Sequence, residues 1–71
     1  MNAVTKIIRA QEKLKEIHGE DGYRRLIRKM KEQAKKAEAK GISEAFFLAQ
    51  VAKDESLSPA VRLVALAAMG E

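Results

Sequence analysis

The chain has no cysteine and no tryptophan, and only one histidine, one proline and one tyrosine. Each scarcity closes a class of chemistry. Without cysteine there is no disulfide, no thiol nucleophile and no thiolate metal site. His18 is the lone imidazole, so a histidine-based metal centre cannot be assembled. No apolar run approaches the ~18 residues needed to cross a bilayer. The opening Met1-Asn2-Ala3-Val4-Thr5-Lys6-Ile7-Ile8-Arg9 lacks the unbroken apolar core of a secretory signal. The expectation is a cytoplasmic chain that needs no metal or cofactor. At 71 residues it makes one domain, 1–71, near the size below which a single core needs staples.

What is present is charge, and it is unevenly placed. The chain carries 14 Lys and Arg against 10 Asp and Glu, a net +4. Residues 22–40 hold eight of the cations (Arg24, Arg25, Arg28, Lys29, Lys31, Lys35, Lys36, Lys40) and only Glu32 and Glu38 in opposition. That stretch is +6 and the other 52 residues sum to −2. Such a localised cationic field steers and holds an anionic partner.

Apolar spacing and capping residues predict an all-α fold, a small four-helix bundle with helices over about 3–18, 22–40, 43–55 and 59–69. Asn2 serves as the first N-cap, followed by a stripe of Val4, Ile7, Ile8, Leu14 and Ile17 that is interrupted by Gln11. Gly19-Glu20-Asp21-Gly22 reads as a loop, and Gly41 as the stop of the second helix. Ser43 caps the third, with Ile42 and Phe47 placed as a hydrophobic staple. That third helix is apolar nearly all round, which predicts a central, buried position. Ser58-Pro59 opens the fourth, as cap plus N1 proline.

In the fourth helix, Val61, Leu63, Val64, Leu66 and Met69 point around more than half of the circumference. Two readings follow. Either these residues form an interface, for a homodimer or a docked partner, because each large apolar side chain left in water forgoes roughly 1.5–3 kcal/mol. Or the helix sits in a cleft between its neighbours with alanines outward.

The run Ser58-Pro59-Ala60-Val61-Arg62-Leu63-Val64-Ala65-Leu66-Ala67-Ala68-Met69-Gly70, preceded by Lys53-Asp54-Glu55, resembles the first helix of a HEAT repeat. Pro59 matches the helix-opening proline of that family and Val61 and Ala65 its core positions, while Met69 replaces the usual leucine. The resemblance spans residues 53–70 with no second copy at a fixed period, so it implies a helical hairpin for protein contacts and no solenoid.

No catalytic constellation is expected. His18 falls at a helix end, where an imidazole interacts with the helix dipole. Glu12 and Glu16 stand four residues apart among Arg9, Lys13 and Lys15, which describes a solvated ion-pair face. No glycine-rich phosphate loop is present. The basic stretch is more informative. Arg24, Arg28, Lys31 and Lys35 form one row about 16 Å long, and Arg25, Lys29, Lys36 and Lys40 a second about 100° round the helix. Two such rows suit an acidic protein surface or a nucleic-acid backbone; base-specific readout would need more than arginines and long lysines. The expectation is a non-enzymatic binding or interaction protein with the basic second helix as its anion-docking face. The alternatives are a designed helical bundle without a natural task and, ranked lower, a cationic membrane-active (bacteriocin-like) protein.

Overall fold

The computed structural model describes residues 2–71 and contains three helices: α1 (Ala3–Ala39), α2 (Glu44–Lys53) and α3 (Pro59–Ala68). The Asn2 side chain accepts the Thr5 N–H at 2.8 Å, satisfying one of the free donors at the start of α1. A straight helix of 37 residues would be about 56 Å long. The longest dimension of the whole fold is only 34 Å, so α1 must bend back on itself. It does so at Gly19, the one residue inside α1 with non-helical backbone angles (φ 73°, ψ 173°). That conformation is essentially reserved for glycine.

The expected four-helix bundle is therefore corrected to three helices, the first of them broken into two limbs, 3–18 and 20–39. A single residue absorbs the change of direction, so Glu20, Asp21 and Gly22 are helical and form no loop. Gly22 has a different duty from Gly19. A Cβ at position 22 would lie 2.9 Å from the His18 Cβ, so the close approach across the bend excludes a side chain there.

The second limb ends as its glycine predicts. Gly41 adopts φ 91°. Its N–H donates to the Glu38 carbonyl at 2.9 Å and the Ile42 N–H to the Ala37 carbonyl at 3.0 Å, which is the Schellman arrangement. Ser43 Oγ accepts the Phe46 N–H at 3.1 Å to open α2. Asp54 then accepts both the Ser56 N–H (2.9 Å) and hydroxyl (2.6 Å) in the turn to α3. These bonds hold the Asp54 carboxyl below the usual carboxylate range. Ser58 Oγ accepts the Val61 N–H at 3.3 Å, with Pro59 in the first turn.

The core joins Ala10 and Leu14 of the first limb, Tyr23, Ile27 and Ala34 of the second, Leu48 of α2, and Val64, Ala67 and Ala68 of α3. The central element is α3, which packs against both α1 and α2. Here too the structure corrects the sequence reading: α2, expected to be the buried helix, contributes Leu48 as its only buried residue. Composition alone does not decide which of two apolar helices lies in the middle. Three of the four alanines of α3 (Ala65, Ala67, Ala68) are at most 1 % exposed. Their small side chains let neighbouring helices approach towards the lower end of the ~8–10 Å interaxial range.

The apolar stripe of the first limb is only partly used. Leu14 is buried and Ile7 half-buried, whereas Val4, Ile8 and Ile17 are exposed. The reason is angular position. At ~100° per residue, Val4 and Ile8 stand about 80° and 120° round the limb from Leu14, and Ile17 about 60° to the other side, so they flank the arc that Ile7, Ala10 and Leu14 turn to the core.

Candidate functional site

The second limb of α1 turns Tyr23, Ile27, Ala34 and Ala37 inward, at spacings of four, seven and three. Helical periodicity then directs the intervening residues to solvent. Arg24, Arg25, Arg28, Lys29, Lys35 and Lys36 are all exposed, as the two-row pattern requires. Glu32 is exposed between the rows, and Lys40 is the C-cap residue at the open end. Lys31 differs from the other six candidate cations. It is half-buried, and its ammonium donates to the backbone carbonyl of Glu71 at 2.6 Å. The first row therefore keeps three free-standing cations and has one tied to the chain.

Glu71 is the residue that sequence reasoning missed. Its carboxylate oxygen Oε2 accepts the Tyr23 hydroxyl proton and the Gln11 amide at 3.1 Å. The same Gln11 amide nitrogen donates to the Ala67 carbonyl at 3.3 Å. Gln11, an interruption in an apolar stripe, is thus the polar bridge between the first limb and the end of α3. Burial first, then the Glu71 carboxylate, pushes the Tyr23 hydroxyl well above the ordinary tyrosine range. The Lys15 ammonium lies 5.1 Å from the centroid of the Tyr23 ring, within cation–π range. Gly70 passes so close that a Cβ there would meet Ile7 Cγ2 and Gln11 Nε2 at 2.6 Å. Partners 48 to 60 residues apart leave no local sequence signal.

The five apolar residues expected to form an interface do not share one exposed face. Val64 is buried, Leu63 and Leu66 are half-buried against the core, and only Val61 (39 % exposed) and Met69 (38 %) open to solvent. The position of α3 between the other elements consumes most of that surface. A shallow groove of about 430 Å³ remains between the second limb and α3, lined by Leu26, Met30, Val61 and Val64 and rimmed by Lys29 and Glu32. Among the described residues, no group of three or more His, Asp or Glu side chains is gathered as a metal site, and no helix is long and apolar enough to cross a membrane.

No protein-family model, curated protein or solved structure matches the chain.

Proposed function

We propose that this protein is a non-enzymatic, cytoplasmic binding module that docks through the basic face of the second limb of α1 onto an anionic macromolecule. The observation that carries the reading is the exposure of Arg24, Arg25, Arg28, Lys29, Lys35 and Lys36 on one limb, in a chain whose other residues sum to a slight negative charge. The limb is anchored by its opposite side to the core, so the face is presented on a fixed support. A positioned array loses less conformational freedom on binding than a disordered basic tail.

The test is retention on an immobilised polyanion such as heparin. The folded chain is expected to bind at low salt and to elute as ionic strength rises, because the attraction between exposed charges is screened. Reversing Arg24, Arg28 and Lys35 to glutamate is expected to abolish retention while far-UV circular dichroism stays unchanged. Flow-through of the folded wild-type chain at low salt would sink the reading.

A further inference from the structure

We infer that the anionic partner is the phosphate backbone of B-form duplex DNA, gripped across the major groove without regard to base sequence. This rests on the anionic-partner reading above and narrows it. Three features of the face decide among polyanions.

The first is what the face lacks. Between Arg24 and Lys40, the outward residues besides the cations are Glu32, Gln33, Glu38 and Ala39. No large apolar side chain lies among them; the shallow groove of Leu26, Met30 and Val61 opens at the flank of the face, beyond Lys29, and not between the rows. Protein interfaces draw their affinity from a desolvated apolar or aromatic centre, and lysine is depleted there. Phosphate contacts need only cations and polar donors. The composition of the face favours phosphates over an acidic protein surface.

The second concerns strandedness. Single-stranded nucleic acid is held by stacking bases on exposed aromatic rings. The basic limb has one aromatic residue, Tyr23, which is 4 % exposed and points to the core. The exposed ring of Phe46 (58 %) belongs to α2 and not to the basic limb, so no ring stands between the cations to stack successive bases along the rows, which favours a duplex.

The third is the spacing of the rows. At ~100° per residue, Arg24, Arg28 and Lys35 centre about 100° round the helix from Arg25, Lys29 and Lys36. With a side-chain radius near ~6 Å, the rows stand on the order of 10 Å apart, close to the ~12 Å width of the B-DNA major groove. Each row can then meet the phosphates of one wall. Glu32 lies on the midline between the rows, farther from the two phosphate walls than the cations are, whereas a polyanion running along the centre would meet it directly. The deep, narrow major groove of A-form RNA does not admit this geometry.

The experiment is fluorescence anisotropy with a duplex DNA of about 20 base pairs, a single strand of the same length, an RNA duplex and polyglutamate of matched charge, between about 50 and 200 mM salt. Engagement of about five phosphates predicts a log K versus log salt slope near ~−4.5, a weakening of roughly 500-fold over that range. Two unrelated DNA sequences should bind within about threefold of each other, and the single strand, RNA duplex and polyglutamate at least about tenfold more weakly. The triple variant R25E/K29E/K36E should flatten the slope by about 0.9 for each phosphate that is no longer neutralised, and Glu32→Gln should leave duplex binding the same or tighter. If polyglutamate, the single strand or the RNA duplex binds as tightly as duplex DNA, the inference is overturned while the anionic-partner reading stands. If no polyanion binds at low salt, both fall.

Discussion

Replacing Gly19 by alanine tests the feature on which the whole architecture turns, and the sign of the effect is as informative as its size. At φ 73° and ψ 173° an L-residue is strained by about 1–3 kcal/mol. A Cβ added there meets nothing within 4 Å, so no clash contributes and only the backbone strain opposes the change. Alanine also narrows the unfolded ensemble, which returns about 0.4–1 kcal/mol. The expected net loss is about 1–2 kcal/mol, a large share of the ~4–10 kcal/mol available to a chain of this size. In a thermal melt this is a fall of about 5–15 °C. Urea titration followed by far-UV circular dichroism measures the same loss as a lower midpoint at constant slope. Were residue 19 simply helical, alanine would instead stabilise by about 0.5–1 kcal/mol. A neutral or raised midpoint for Gly19→Ala therefore refutes the bend.

Three further substitutions probe the core and the polar bridge. Leu48→Ala, at a site 3 % exposed, is expected to cost about 2–4 kcal/mol, whereas Phe46→Ala, at 58 % exposed, should cost under ~0.5 kcal/mol despite removing a larger side chain; a reversed order in urea midpoints would mean that α2 packs on its other face. The Tyr23 hydroxyl has a folded-state pKa raised above its unfolded value near ~10, so its stabilisation is complete below pH ~10 and is lost as pH climbs towards the folded value. Wild-type stability should fall above pH ~10 by up to ~1.4 kcal/mol per pH unit more than that of Tyr23→Phe, and parallel profiles for the two proteins would mean that the hydroxyl is neither buried nor held against Glu71.

The parts of the fold that are legible in the sequence are those decided by local chemistry. Asn2, Ser43, Ser58-Pro59 and Gly41 act within three or four residues of themselves, and each performs the capping duty its type implies. The outward rows of the basic limb are equally legible, because helical periodicity fixes which residues share a face once Tyr23, Ile27 and Ala34 are inward. What the sequence hides is tertiary placement. Two glycines three residues apart imply a loop, but one serves backbone freedom and the other the proximity of His18, a distinction that exists only once the limbs have folded together. Likewise α2 and α3 are both apolar, and only the packing decides that α3 is the filling and α2 the flank. Val64 is for that reason buried within the single chain and Leu66 half-buried against its core. Glu71 is invisible because its partners lie 40 to 60 residues away.

The alanine surface of α3 has a bearing on where the charges point. The two limbs of α1 diverge from Gly19, and α3 is the wedge between them, with Ala67 and Ala68 in the core that joins both. The thickness of that wedge sets the aperture of the limbs. Since the second limb carries the cations on its far side, the aperture also sets their heading relative to the rest of the molecule. With Ala67 and Ala68 at 0 % and 1 % exposed, the seam has no room for a larger side chain, so the heading of the basic rows is held by residues that carry no charge themselves.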